Sequence, residues 1–412
     1  MRMNKIVKPS NPSKNSVVLA ILVLAIAIAC IQCQDDAVLP VSKASNRLAM
    51  ELYREIGHED QNSIFSSYSL IVAMSMVLAG CRGNTAKQVV QALHFDHLEV
   101  LDIHTSMRLL SHQVQQHANN VTCQFNDANC IFTQKGFPIL PFYLKLVRDF
   151  YHSDVKEVDF SDSQSTTNLI NQWIDKMTNH KISQLFDPAD ITPMTKLVLA
   201  NAIYFKGKWK LPFDKLKVTE KPFHYTSNED VIVKMMSRKM KVNYMQDHSS
   251  GIQMIELPYE CSKTSMIIVL PQSVSMFSDL KQILLMEGKL DQWINSMRKM
   301  EVNVQIPKFS IKQRMNLNGV LKKLGMTDLF DSSRADLTGI SQAENLFVGK
   351  VIQEARLDVN EEGSEAAAAT GVIVLAKMML VTPEFIADRP FIYLIRDVES
   401  NTILFMGHVR KP

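Results

Sequence analysis

The sequence predicts an α+β fold in which most strands are antiparallel. Helical spacing of apolar residues dominates the first half of the 412 residues and strand patterns dominate the second half, without a repeating strand–helix–strand unit. No Pro-, Gly- or Ser-rich linker, low-complexity tract or fixed-period repeat divides the chain. We therefore expect one large domain over residues 34–412, although the length would accommodate two or three domains.

Three helices are predicted from apolar residues that recur on one face. Ser66 and Ser67 are candidate N-caps of the first helix, and Gly80 and Gly83 are expected to end it. Gly325 is expected to end the third helix. We interpret the apolar faces as core-packing surfaces. The apolar positions are Leu70, Ile71, Met74, Val77 and Leu78 in the first helix, Ile170, Trp173, Ile174 and Met177 in the second, and Leu317, Val320, Leu321 and Leu324 in the third.

Five strands are predicted from β-branched and aromatic runs, and one of them alternates strictly between polar and apolar residues over 301–306. Strict alternation is typical of a strand with one buried face. The predicted strands cover 197–205, 266–270, 301–306, 391–395 and 403–409.

The N-terminal residues 1–33 have the layout of a signal peptide. Four basic residues precede an apolar run over 17–31, and polar Gln34, Asp35 and Asp36 follow it. A membrane anchor is the alternative, but the run is shorter than the roughly 20 apolar residues that span a bilayer. We therefore predict a secreted, extracellular protein. Asn120 begins an Asn-Val-Thr triplet, which predicts a glycosylation site in a secreted chain.

The cysteines do not form a disulfide framework. Cys30 and Cys33 have the spacing of a redox or metal motif, but they lie where we expect the signal peptide to be removed, and no second pair accompanies them. Four cysteines remain, which is too few for a scaffold of disulfides in a chain of this size. We expect one bridge or none, and the pairing stays open among Cys81, Cys123, Cys130 and Cys261.

Composition and motifs argue against several classes of function. The formal net charge of +3 is small for this length, so nucleic acid is not an expected partner. The sequence contains no phosphate-binding Gly-rich loop, no Gly-x-Ser-x-Gly elbow and no His-Glu-x-x-His motif. The eleven histidines are scattered, and their spacing supplies no zinc site. We therefore predict a protein that is not an enzyme and has no metal or cofactor.

An uncharged segment near the C-terminus carries the functional prediction. No charged residue occurs over 366–376, and Lys377 is the only basic residue between Arg356 and Arg389. Four successive alanines favour a buried helix, but Gly371 and the β-branched run over 372–374 favour an extended segment. Lys377 is therefore the one basic residue in this largely apolar stretch that a protease could recognise.

This segment and five other motifs resemble the serpin family, and the motifs follow in the expected order along nearly the whole mature chain. The first motif is Asn-Ser-Ile-Phe-Ser over 62–66, the second runs from Asn201 to Trp209 and is followed by Phe213, and the third is Pro-Lys-Phe over 307–309. The C-terminal motifs are Arg-Pro-Phe over 389–391 and Leu-Phe-Met-Gly over 404–407. The segment that resembles the family's hinge consists of Glu361, Glu362, Gly363, Ser364, Glu365, Ala366, Ala367, Ala368, Ala369 and Thr370.

The resemblance implies three β-sheets, eight or nine helices, and an exposed reactive-centre loop at about 361–388 that inserts into the largest sheet once it is cut. It also implies that Asn201, Phe205, Gly207 and Trp209 lie where the loop enters that sheet. Family spacing places the reactive bond at Lys377-Met378, where the charge pattern also places it. A trypsin-like serine protease is then the expected partner, trapped in a covalent complex.

Three further expectations concern partners. A serpin without inhibitory action, serving as a carrier, storage protein or chaperone, is the alternative. The hinge of such a serpin usually contains bulky or charged residues, whereas the core-facing hinge residues Ser364, Ala366, Ala368 and Thr370 are small and uncharged. Heparin is not an expected ligand, because the segment over 98–117 that resembles the family's glycosaminoglycan-binding helix contains only Arg108 as a permanent cation. We expect a monomer that has no membrane contact after the signal peptide is removed.

Overall fold

The structure is a computed structural model that describes residues 37–57, 60–119, 122–261, 263–343, 346–361 and 382–412. The predicted signal peptide, residues 1–33, lies outside the described residues, as does Asn120. Within the described residues, no helix is both long enough and apolar enough to cross a membrane.

Nine α-helices lie in the described residues. Helix α2 begins after Ser66, whose side chain accepts a hydrogen bond from the Ser69 backbone N–H as predicted for an N-cap. We expected Gly83 to end α2. It instead begins α3, where its φ of 54° suits glycine. The helices are α1 (37–56), α2 (Ser67–Gly80), α3 (Gly83–Ala92), α4 (Val100–Ala118), α5 (Pro141–Tyr151), α6 (Ser163–Met177), α7 (Phe277–Leu284), α8 (Lys289–Ser296) and α9 (Asn318–Lys323).

Helix α2 is buried on every face, whereas the sequence predicted one apolar face. All 14 of its residues are buried, because α4 and α5 cover one side and strands of both sheets cover the other. Gly80 is required by this packing, since a Cβ there would lie 2.0 Å from the Ile340 side chain. The helix therefore forms the centre of the core.

The five predicted strands are confirmed, each extended by one to four residues. The strands of the described residues are β1 (Ser63–Phe65), β2 (Cys123–Gln134), β3 (Val155–Val158), β4 (Leu197–Gly207), β5 (Thr219–His224), β6 (Asp230–Asp247), β7 (Ile252–Pro258), β8 (Thr264–Pro271), β9 (Arg298–Pro307), β10 (Phe309–Asn316), β11 (Lys350–Val359), β12 (Glu384–Ile386), β13 (Phe391–Asp397) and β14 (Thr402–Val409).

By hydrogen bonding these strands form two sheets, and the larger has two parts. The five-stranded sheet has the order β10-β11-β4-β2-β3. The nine-stranded sheet has the order β1-β14-β13-β8-β7-β6-β9-β12, with β5 paired to β6. Strand β6 is 18 residues long and belongs to both parts of this sheet, so a division at β6 gives the three sheets that we expected. The α+β class is confirmed, and most strand pairs are antiparallel.

Candidate functional site at the β4–β11 seam

Strands β4 and β11 lie side by side in the middle of the five-stranded sheet and run parallel. Their register pairs Val198 with Lys350 at one end and Phe205 with Leu357 at the other. We call this pair the seam, and its Phe205–Leu357 end the upper end. Parallel neighbours are unusual here, because the other large pairings in this sheet, β2 with β4 and β10 with β11, are antiparallel.

The chain leaves β11 at the upper end and returns in the other sheet. Glu361 is the last described residue of this segment, and the chain is next described at 382, shortly before β12 pairs with β9. The predicted reactive bond Lys377-Met378 lies outside the described residues, as does the hinge from Glu362 to Thr370. Their roles therefore stay predictions.

A tryptophan and an ion pair hold the upper end of the seam. The Trp209 Nε1–H group donates across the seam to the Asn360 carbonyl oxygen at 2.8 Å. The Trp209 ring stacks on Tyr259, with 4.4 Å between ring centroids. Lys308 Nζ lies 2.6 Å from the Glu361 carboxylate. Burial opposes ionisation of Glu361, but its hydrogen bonds with Lys308 and with the backbone outweigh burial, so the pKa of Glu361 is lowered.

Gly207 is required by the packing below Trp209. A Cβ at this position would lie 2.6 Å from the Tyr259 ring and 2.7 Å from the Phe205 ring. Phe205 is fully buried and contacts Tyr259 edge to face at a centroid distance of 5.0 Å. The aromatic side chains therefore place the end of β4 against the β7–β8 turn.

A buried polar network crosses the middle of the seam and reaches α2. Gln353 on β11 donates from Nε2 to Asn201 Oδ1 on β4 at 2.7 Å. The same amide accepts from the Ser66 backbone N–H at 3.0 Å and donates to the Ser66 carbonyl at 2.9 Å. Asn201 donates to the Ser69 hydroxyl at 2.6 Å and to the Asn129 side chain. Separation of β4 from β11 breaks the Gln353–Asn201 bond.

Asp127 on β2 brings a titratable group into this network. Its carboxylate accepts from the Ser69 hydroxyl and from Asn129 Nδ2, the latter at 2.9 Å. Burial raises the pKa of Asp127 from 3.8 to about 6, and the two hydrogen bonds offset only part of that effect.

The outer face of the seam is crossed by the segment over 178–191, which joins α6 to β4. Arg356 on β11 donates to the Lys181 carbonyl at 3.2 Å, and Arg314 on β10 pairs with Asp190. Glu354 is fully buried beneath this layer with Lys312 Nζ at 3.1 Å, and burial raises its pKa. Arg356 and Arg314 therefore hold this segment against β11 and β10.

One disulfide joins the two sheets near the upper end. It links Cys123, the first residue of β2, to Cys261 in the β7–β8 turn. Cys81 and Cys130 are buried free thiols. This arrangement fits the expectation of one bridge or none, and it supplies the pairing that the sequence left open.

Comparison with known proteins identifies the family. The sequence matches the family described as "Serpin (serine protease inhibitor)" over residues 43–412. The chain belongs to the serpin family. The chain is thus a member of a family of protease inhibitors, and the fold described above is the serpin fold.

Three relatives illustrate the similarity of this serpin to known proteins. The leukocyte elastase inhibitor of Sus scrofa is 37% identical over 381 residues, which cover 90% of this chain and 99% of the relative. Uncleaved ovalbumin is similar in structure with a TM-score of 0.83 and 29% identity, covering 90% of this chain and 100% of that one. Serpin48 of the insect Tenebrio molitor has a TM-score of 0.78 and 30% identity, and the match covers 92% of this chain and 98% of that one.

The structure places the four motif residues of this serpin along one strand segment. Phe205, Gly207 and Trp209 lie together at the upper end, and Asn201 lies in the polar network farther down β4. Sequence reasoning missed Tyr259, Gln353 and Asp127. The sequence does indicate Asp127, because three polar residues interrupt the apolar residues of β2. No pattern near Tyr259 in the sequence indicates its contact with Trp209.

The described residues contain no group of three or more His, Cys, Asp or Glu side chains that could hold a metal ion. The ionisable groups near the seam are engaged in hydrogen bonds or ion pairs that link strands, as with Glu361 and Glu354. This arrangement holds two parallel strands together.

Proposed function

We propose that this serpin is a secreted inhibitor that traps a trypsin-like serine protease covalently after cleavage at Lys377-Met378. The observation that carries the proposal is the parallel seam, which ends where the chain enters the predicted hinge. A segment that follows β11 and reverses direction at the hinge would enter the seam antiparallel to both neighbours. It would replace one parallel pairing with two antiparallel pairings, which are slightly more stable per residue.

The composition of the hinge and loop supports insertion. Alternate residues of a strand face the same side, so Ser364, Ala366, Ala368, Thr370, Val372 and Val374 would face the core. All six are uncharged and small or β-branched. About a dozen inserted residues would add backbone hydrogen bonds worth roughly 0.5 to 1.5 kcal/mol each, or on the order of 10 kcal/mol in all.

The chemistry of the trap begins with the serine of the protease. Its hydroxyl attacks the Lys377 carbonyl carbon, the Lys377-Met378 peptide bond breaks, and the new amine leaves with the proton. The protease is then an ester of Lys377. Insertion of the loop would carry that ester away from the entry point and distort the protease before water attacks it. We propose a trypsin-like target because the specificity pocket of such enzymes contains a carboxylate, which would pair with the Lys377 ammonium group.

Secretion is supported by two separate features. Residues 1–33 have a signal-peptide layout, and the Cys123–Cys261 disulfide is of the kind that persists in oxidising compartments outside the cytosol. The Asn120 triplet agrees with that route, because N-glycosylation modifies secreted chains.

Incubation with trypsin followed by a denaturing gel tests the proposal, with Lys377→Ala as the matched control. We expect the unmodified protein to form a high-mass adduct that survives denaturation, and the variant to form none, because it lacks the cation that the trypsin pocket binds. Cleavage at Lys377 without an adduct would instead favour a carrier, storage protein or chaperone. An equal adduct with the variant would place the reactive bond at another residue.

A further inference from the structure

The Cys123–Cys261 disulfide lies beside the place where the seam must open. Cys123 pairs in register with Gly207, two residues before Trp209, and the Trp209 indole is bonded to Asn360 across the seam. Cys261 lies two residues after Tyr259, on which Trp209 stacks. Both cysteines are almost completely buried. The bond therefore belongs to the packing of the upper end rather than to the outer surface.

Backbone hydrogen bonds run alongside the disulfide. Lys208 N–H donates to the Thr122 carbonyl at 3.1 Å, and the Lys208 carbonyl accepts from the Glu260 N–H at 2.7 Å. Lys210 N–H donates to the Pro258 carbonyl at 2.9 Å. Together these bonds hold the β2–β4 side of the seam against the β7–β8 turn, which belongs to the other sheet.

Hydrogen bonds of this kind break and reform during local opening, whereas the disulfide does not. If only the hydrogen bonds held this side, β2 and β4 could move sideways together and open a gap in front of β11. With the disulfide present, the first residue of β2 cannot leave the β7–β8 turn. The sulfur–sulfur bond is thus the covalent contact at this corner, and it limits how far the β4 side can move.

We propose that the Cys123–Cys261 disulfide is a positioning element of the trap that keeps the seam closed until the loop is cut. The bond restrains the β2–β4 side, so the uncleaved loop rarely finds a gap to enter. This inference rests on the proposed function, because it assigns the disulfide a task in loop insertion. A disulfide that merely stabilises the whole fold is the alternative, and the two differ in what happens at the seam.

A synthetic peptide can measure opening of the seam without any protease. The peptide copies residues 364–375, carries biotin at its N-terminus, and is added in excess to the purified protein. Its incorporation is followed with time on a native gel that is blotted for biotin. The test variant replaces both Cys123 and Cys261 with Ser. The control is Leu284→Ala on α7, a buried core truncation in a helix whose larger contacts include α8 and neither strand of the seam.

We expect the double variant to incorporate the peptide roughly tenfold faster than the unmodified protein, because the β2–β4 side is then held only by noncovalent contacts, which break and reform during local opening. The Leu284→Ala control should incorporate the peptide at nearly the rate of the unmodified protein, even if its melting temperature is as low as that of the double variant. Equal rates for the double variant and the control, including no incorporation in either, would overturn the proposal and leave the disulfide a general stabiliser.

Two additions keep the outcomes separate. If the double variant with Ser does not fold, replacement of both cysteines with Ala, which leaves no buried hydroxyl without a partner, gives the same comparison. Adduct formation with trypsin is measured on the same samples. If the unmodified protein forms no adduct, the proposed function is refuted. If the rate of peptide incorporation is the same with and without the disulfide, only the inference about the Cys123–Cys261 disulfide is refuted.

Discussion

Single residues decide how the seam stays closed in its middle. Gln353, Asn201 and Ser66 exchange hydrogen bonds that join β11, β4 and the start of α2, and Asp127 borders this network through Ser69 and Asn129. These groups are buried or half-buried, so each bond that is lost without replacement costs free energy. The protonation state of Asp127 therefore bears on stability.

Asp127 should make the protein more stable in mildly acidic solution. Its pKa is about 6 in the folded protein and about 3.9 in an unfolded chain. Between these values the folded state binds a proton that the unfolded chain does not, so the stability contributed by this group increases as pH falls from 7.5 to 5. We expect a gain on the order of 1 to 2 kcal/mol from Asp127 in urea unfolding at the two pH values.

The matched variant for that measurement is Asp127→Asn, which has the shape of the protonated acid and does not titrate. The difference in unfolding free energy between the two proteins should change with pH, in favour of the unmodified protein at pH 5. A difference that is the same at both pH values would show that the Asp127 carboxyl titrates near its ordinary value.

At the scale of elements, the sequence predicted strands where the hydrophobic pattern is local and missed strands whose side chains serve other elements. The run over 197–205 became β4 because nearly every residue is apolar and buried. In β2, Asn126, Asp127 and Asn129 interrupt the pattern, because this part of the strand takes part in the polar network. Strand β11 was missed for the same reason, since Gln353 and Glu354 are buried polar residues.

The inserted strand gives the sharpest test at this scale. Ser364→Arg should convert the inhibitor into a substrate, because an unpaired charge on the core-facing side of the new strand costs several kcal/mol and slows insertion. Gel densitometry after reaction with trypsin would then show cleaved serpin in place of the adduct.

Glu365→Arg is the control for that substitution. It introduces the same side chain at the next position, which alternation places on the solvent side of the inserted strand, so trapping should persist. Undiminished trapping by Ser364→Arg would contradict insertion of this segment as a strand.

At the scale of the whole molecule, the class of fold was predictable and the meeting of distant segments was not. The balance of helices and strands, together with five ordered motifs, was sufficient for the α+β class and the family. The contacts at the upper end join residues that are 138 positions apart in the disulfide and 151 apart in the Trp209–Asn360 bond. No local pattern encodes which of four cysteines, or which carbonyl, such residues will meet.

The whole molecule should become much more stable once the loop is cut. Insertion adds on the order of 10 kcal/mol of strand pairing, so the melting temperature of the cleaved protein should exceed that of the uncut protein by more than about 10 °C. Circular dichroism during heating compares the two forms, with the cut made by a protease that does not become trapped. Equal melting temperatures would contradict loop insertion.

The stacked indole at the upper end also gives the molecule an internal optical probe. Trp209 is one of three tryptophans, and its N–H group is bonded across the seam while its ring lies on Tyr259. Trp173 lies on α6 with its ring against Phe132 of β2, and Trp293 lies on α8. Entry of a strand would replace the neighbours of Trp209 and change its emission spectrum, so insertion could be timed in solution without attaching a dye.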